Sequence, residues 1–462
     1  MKTLEFNRYN ELLKIAQIAL PIIGAQLLQV SMGVIDTIMA GRIDALAIAA
    51  IALGSSVWFF VMLIGFGILL ALTPILSQHI GSDNKRLVRE EFRQGIWLAL
   101  GLGVFTVLMI FGIGSIMPHL GIKPEIIAPA HDYLTWIAWS LPLSMLYLVP
   151  RSVSEAMANT MPILWIQILA LPLNILGNYA FMYGNVGFPE MGASGAALAT
   201  GIAQGISCVA IFVYTYLEPR YKEFDLFKRM TAPDFAHIAQ TLKLGWPIAV
   251  SMAMEVGLFS ATALLMGRFG VDAAAAHQIA LNLASLCFMV PLGCGMALTV
   301  RIGQSVGAKQ VLTARKQGQL GIMLCTSITM ISALCLWLFG AKLAGLYTDD
   351  INVITIAAQL LALAAIFQIV DGLQIGAMGT LRGFKDTKIP MLLSIFSYWI
   401  VGMGTAIFLG IYLEMGPQGL WWGLVSGLFC AAVTLNTRFH LLTKNAKNEA
   451  LRNTETLQKD AA

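Results

Sequence analysis

Apolar stretches long enough to span a bilayer follow one another along nearly the whole chain, and no other feature restricts the possible folds so strongly. They fall near residues 12–40, 45–79, 94–117, 130–150, 162–185, 193–217, 239–267, 272–303, 318–340, 353–379, 389–412 and 417–441. About 20 apolar residues carry a helix across the hydrocarbon core, where each backbone polar group must be satisfied within the protein. Only 12% of the 462 residues are charged and the mean hydropathy is +0.76, against roughly 25% charged residues in a soluble domain. These features predict an all-α polytopic membrane protein with twelve transmembrane helices. The N-terminus, MKTLEFNRYNELLK, lacks the short apolar core and small-residue cleavage site of a secretory leader.

Counting Lys and Arg by side sets the expected orientation. Arg42, Lys123, Arg268 and Lys342 fall on one side and the other 25 of the 29 basic residues, from Lys2 to Lys459, on the other. The positive-inside rule then puts both termini in the cytoplasm. The net charge of +4 is spread over short loops, which gives no dense patch for nucleic acid. Cys208, Cys287, Cys294, Cys325, Cys335 and Cys430 lie within apolar runs without metal-type or redox-type spacing and read as packing residues.

The chain also repeats itself. Pro21 and Pro247, Gly41-Arg42 and Gly267-Arg268, Gly67 and Gly293, Thr73 and Thr299, Gln78 and Gln304, Gly81 and Gly307, and Arg89 and Arg315 are all 226 residues apart. Glu190-Met191-Gly192 and Gly195 return as Glu414-Met415-Gly416 and Gly419 at 224. Two halves of six spans each run in the same direction, a parallel repeat of the kind transporters use for alternating access. The expected organisation is an N-terminal six-helix lobe over 1–217, a cytoplasmic linker over 218–238, a C-terminal six-helix lobe over 239–442 and a polar cytoplasmic tail over 443–462.

Most acidic residues fall in loops or at span ends, but Asp36, Glu255 and Asp371 sit well inside apolar runs. A carboxylate at the bilayer centre costs roughly 2.5–3.5 kcal/mol on insertion scales and marks a functional position. No Lys or Arg lies at a comparable depth by sequence, so each acid is expected to be protonated, hydrogen-bonded by neutral groups or paired with a cation supplied from outside. Ser251, Glu255, Phe259 and Thr262 share one helix face, and subtracting 226 gives Ala25, Gln29, Gly33 and Asp36. Gln29 thus stands where the second half has Glu255, and Thr262 where the first has Asp36. Gln368 shares a face with Asp371, and Gly372 and Gly376 permit close helix contact. Asn174 and Asn178, one turn apart, can join Thr200 in solvating an acid of their own half. Knitting neighbouring helices together serves these amides equally well. His277 reads as a packing residue or as a proton relay.

VIDTIMAG at 34–41, AAHQIALN at 275–282, PLNILGNYAFMYG at 172–184, LYT at 346–348 and LRGFKDTKIP at 381–390 together resemble the multidrug and toxin extrusion (MATE) transporters, in their NorM-type bacterial branch. The resemblance covers nearly the whole chain. It implies two six-helix lobes around a cleft and a monomer that exports cationic amphipathic drugs and dyes in exchange for H⁺ or Na⁺, with no cofactor. It also implies coupling-cation acids at Glu255 and Asp371, where Na⁺ is one of the two options, and an N-lobe acid at Asp36 near Asn174, Asn178 and Thr200. Phe367 stands where the branch can carry a tyrosine, which removes one oxygen ligand and tilts the balance toward H⁺. Two other classes stay open: a lipid-linked precursor flippase, which calls for a basic cleft, and a membrane enzyme, for which no nucleophile–base pair or metal set stands out.

Overall fold

The computed structural model describes residues 7–120, 123–229 and 231–460, the side chains of residues 45, 120 and 445–460 excepted. Lys2, the linker's Met230 and the basic side chains of Lys447, Arg452 and Lys459 therefore lie outside the description. The helices are α1 (Arg8–Ala40), α2 (Leu46–Gly81), α3 (Lys85–His119), α4 (Pro124–Ala138), α5 (Ser140–Ala156), α6 (Met161–Met182), α7 (Ala193–Leu217), α8 (Phe235–Phe269), α9 (Val271–Gly307), α10 (Val311–Ala344), α11 (Ile351–Gly383), α12 (Lys388–Tyr412) and α13 (Gly416–Asp460). Among the described residues there is no strand.

Eleven of these helices are long and apolar enough to cross a membrane. The expected span near 130–150 is divided between α4 and α5, neither of which reaches spanning length alone. Pro142 has no N–H for the carbonyl of Ala138, and the helix opens one residue later at Trp139. The same chemistry interrupts α2 at Leu70, whose carbonyl would need the N–H of Pro74. The last helix runs on through the tail to Asp460, because Ala, Leu, Lys, Glu and Gln dominate there and neither Gly nor Pro breaks it.

Contacts divide the chain into two compact units, Gly24–Ala249 and Met1–Ile23 with Val250–Ala462. The two division points differ by 226, so the start of each half's first helix belongs to the unit built mainly by the other half. A repeated close approach fixes this arrangement. A Cβ on Gly67 would lie 2.5 Å from Cα of Ala249, and one on Gly293 would lie 2.5 Å from Cγ1 of Ile23. Only glycine admits contacts this short, and Ile23 and Ala249 are themselves repeat mates. Gly192 and Gly416 both have positive φ, at 54° and 63°, Gly192 just before α7 and Gly416 as the first residue of the matching α13.

Polar side chains tie helix ends together inside each unit. In the second, Arg301 donates to both oxygens of Glu11 at 2.7 and 3.0 Å, and Gln317 donates to Glu11 at 2.9 Å. The mates of Glu11, Gln317 and Ser305 are His237, Glu91 and His79. Both histidine Nε2 atoms lie 3.9 Å from Glu91 Oε1. The 218–238 linker is docked on the first unit: Tyr221, Phe224 and Leu226 are buried, and Trp97 donates to the carbonyl of Thr231 at 2.9 Å. Asp234 caps α8, and its contacts with the His237 ring and two backbone amides hold its carboxyl below the usual range.

Candidate ion-coupling sites

The first unit holds Asp36 in a cage of neutral donors. Asn178 Nδ2 donates to Oδ1 at 2.6 Å and Thr200 Oγ1 donates to Oδ2 at 3.1 Å, while Asn174 Nδ2 donates to Thr200 at 3.0 Å. Asn174 and Asn178 are fully buried and Asp36 nearly so. The one-turn spacing of the two asparagines on α6, opposite Thr200 on α7, brings all three together as expected. Gln29 is half-buried two turns before Asp36, and among the described residues no hydrogen bond joins the two.

The second unit arranges its acids differently. Asp371 is fully buried on α11, and neither carboxylate oxygen has a hydrogen-bond partner. Glu255 on α8 is half-buried within electrostatic reach of Asp371, and the side chain of Gln374 lies within hydrogen-bonding reach of Glu255. Gln374 also donates to the Tyr398 hydroxyl, and its Oε1 is buried without a partner. Gln368 donates to the carbonyl of Ala284 at 3.0 Å and leaves its own Oε1 unpartnered. Four buried oxygens on one helix, two from Asp371 and one each from Gln368 and Gln374, therefore lack donors. Buried acceptors left unmatched are costly. Ser394 and Ser397, on the neighbouring α12, carry further buried hydroxyls without partners.

Packing supports this cluster from behind. A Cβ on Gly372 would meet Thr329 Oγ1 at 2.2 Å and one on Gly376 would meet Ile322 Cα at 2.9 Å, so both glycines bring α11 onto α10. Phe367 is buried, with its ring 5.8 Å from Phe259 and 6.3 Å from Trp421. Trp421 Nε1 donates to His277 Nδ1 at 3.1 Å, and His277 Nε2 is buried without a partner. His277 thus packs in the aromatic group behind Phe367. Ser251 is buried, and Thr262 gives its hydroxyl to the carbonyl of Leu258 at 2.8 Å, within its own helix.

One expectation needs correction. The acids were expected to have no internal cation, yet Arg382 on α11 lies within electrostatic reach of Glu255. By sequence Arg382 falls past the span ending near 379, whereas α11 continues through it to Gly383. Gln374, Tyr398, Ser394 and Ser397 were also missed. Gln374 follows Asp371 at helical spacing and could have been found, as could Ser394, Ser397 and Tyr398, which share one face of α12 at spacings of three and four.

The MatE family model matches residues 21–180 and 247–408, once in each half. The chain belongs to the MATE family. The "Probable multidrug resistance protein NorM" of Idiomarina loihiensis is 38% identical over 96% of this chain and 97% of its own. The "Multidrug resistance protein NorM" of Aliivibrio fischeri is 34% identical over 95% and 96%. The crystal structure of the eukaryotic MATE transporter AtDTX14 superposes with a TM-score of 0.86 at 19% identity, over 96% of this chain and 99% of that one. The two-lobe helical fold of MATE transporters is thus shared, and the chain is a NorM-type membrane transporter and not an enzyme.

Proposed function

We propose that this transporter exports cationic amphipathic compounds in exchange for an inward cation, and that the cation binds at Asp371 and Glu255. Four unpartnered buried oxygens around two acids support the reading, since such a cluster is stabilised by a cation and destabilised without one. Binding there would neutralise the acids and favour the conformation in which the drug is held less tightly, coupling the two fluxes. Phe367 offers no oxygen where a further Na⁺ ligand would help, which favours H⁺. The names of the NorM relatives support multidrug compounds as cargo, and the distribution of Lys and Arg supports an inner-membrane protein with both termini in the cytoplasm.

Efflux of a cationic dye from proteoliposomes under an imposed pH or Na⁺ gradient tests this. Uphill efflux driven by one gradient is expected in the wild type, with none in the Glu255→Gln, Asp371→Asn double variant. Full gradient-driven efflux by that variant would contradict the mechanism.

A further inference from the structure

The first unit carries two cavities, of about 690 Å³ and 370 Å³, that share Ala210 as a wall. The larger lies between the broken helix pair α4–α5 and α7, with Trp136, Trp139 and Leu143 on one side and α7 from Leu198 to Val213 on the other. Trp139 and Val209 are 68% and 61% exposed, so the channel is open along its length. Its narrow part is set by glycines on α7. A Cβ on Gly201 would lie 3.4 Å from Ser140 Cβ and one on Gly205 would lie 3.3 Å from Leu143 Cδ1, so larger side chains there would fill the space. The smaller cavity continues past Ala210 to Asn159, Trp165 and Tyr214. Asn159 Nδ2 donates to the Tyr214 hydroxyl at 3.1 Å, which keeps the Tyr214 proton for another acceptor. No charged residue lines either cavity among the described residues.

We propose that this groove holds one phospholipid, with its phosphate and ester groups at Tyr214 and Trp165 and one acyl chain laid along α7 toward Trp139. The polarity of the groove matches such a molecule from end to end. Tyr and Trp sit at the headgroup level of a bilayer, and the rest of the channel is apolar. From Tyr214 to Leu198 the helix rises about 24 Å, against the roughly 15 Å of one leaflet's hydrocarbon, so an extended chain fits lengthwise. Inside a bilayer the hydrophobic effect does not favour association, and a concave wall holds a chain through added van der Waals contact. A cationic cargo would find no counter-charge here. The second half has lost these features. Asn159 N to Ser154 O matches Asp386 N to Leu381 O at an offset of 227, and Tyr214 matches Arg438 at 224. The neutral contact of the first half is thus an ion pair in the second, Arg438 Nε to Asp386 Oδ2 at 2.7 Å, and Gly201 and Gly205 are replaced by Val425 and Phe429. The proposal is independent of the antiport reading.

The test is quenching of tryptophan fluorescence by a dibrominated phosphatidylcholine, titrated into the full-length protein in detergent micelles. Each protein is paired with its Trp139→Phe counterpart, so that the difference reports on Trp139. Saturable quenching at about one lipid per protein is expected, against the diffuse contact of an ordinary lipid-facing helix. Gly205→Leu is expected to raise the half-saturating lipid fraction by about 10-fold, equivalent to roughly ten lost carbon contacts. Ile206→Phe, which narrows the channel from an exposed position, should do the same and keeps the test open if Gly205→Leu fails to fold. Tyr214→Phe should raise it by about 3- to 10-fold through the lost hydroxyl. Leu108→Phe, at an exposed position of α3 outside the groove, should leave it unchanged. Quenching that rises linearly with lipid, or half-saturation unchanged in both Gly205→Leu and Ile206→Phe, would overturn the proposal. Displacement of the brominated lipid by tetraphenylphosphonium would also overturn it, by giving the groove to cationic cargo.

Discussion

Asp36 and Asp371 are both carboxylates inside membrane-spanning helices, and the protein treats them in opposite ways. Asp36 receives hydrogen bonds on both oxygens from Asn178 and Thr200. Asp371 receives none, and the neighbouring Gln368 and Gln374 add unmatched acceptors of their own. A caged acid has its hydrogen-bonding needs met within the protein, whereas an uncaged one keeps the cost of unmatched buried acceptors. What separates the two acids is the set of donors around them, which depth along the helix does not reveal.

The repeat shows how the two arrangements diverged. Met191 N to Phe181 O in the first half corresponds to Met415 N to Leu409 O in the second, which sets an offset of 228 before the loop and 224 after it. At those offsets the mates of Asn174, Asn178 and Thr200 are Gly402, Ala406 and Leu424. The donor cage is gone, and a Cβ on Gly423 would instead meet Ala406 Cβ at 2.3 Å. Thr262, the mate of Asp36, has accordingly turned its hydroxyl back onto its own helix. The second half moved its acids to Glu255 and Asp371, whose first-half mates are Gln29 and Ser144.

The largest effect expected to separate the two regions is on transport. Asp371→Asn should cut gradient-driven dye efflux at least about 100-fold while leaving the thermal midpoint unchanged or raised, because it removes a buried charge that has no partner; a clear fall in thermal stability would break the comparison. Thr262→Asp should destabilise the protein by about 3–5 kcal/mol, since Gly402, Ala406 and Leu424 supply no donors for the new carboxylate. Wild-type denaturant stability in that variant would mean that the cage is dispensable. Asn178→Ala removes a charge-assisted hydrogen bond to Asp36 and should cost about 1.5–3 kcal/mol by the same measurement. The smallest effect is expected for Trp421→Phe, which loses one donor to His277 and should cost about 1 kcal/mol with efflux retained; loss of proton-driven efflux there would assign His277 to the relay instead.

Much of this was legible from the chain. Hydropathy pointed to twelve apolar segments, and the repeat's glycine mates Gly67 and Gly293 proved to be close-contact positions. The Asp36 cage was legible because Asn174 and Asn178 lie one turn apart and Thr200 opens the next span of the same half. Other features depend on information that the linear pattern lacks. Hydropathy averages over Pro142 and does not report the lost hydrogen bond that divides α4 from α5. The positive-inside count assigns Arg382 to a side without its depth. Tyr398, Ser394 and Ser397 join the Asp371 cluster through the packing of α12, and no spacing rule connects them to α11.

The central claim is that the driving cation binds at the uncaged acid. Direct titration of cation binding in nanodiscs, compared between Asp371→Asn and Asp36→Asn, tests it most directly. The account predicts that binding is lost in Asp371→Asn and kept within a few-fold of the wild type in Asp36→Asn. Binding that survives Asp371→Asn and disappears in Asp36→Asn would contradict it.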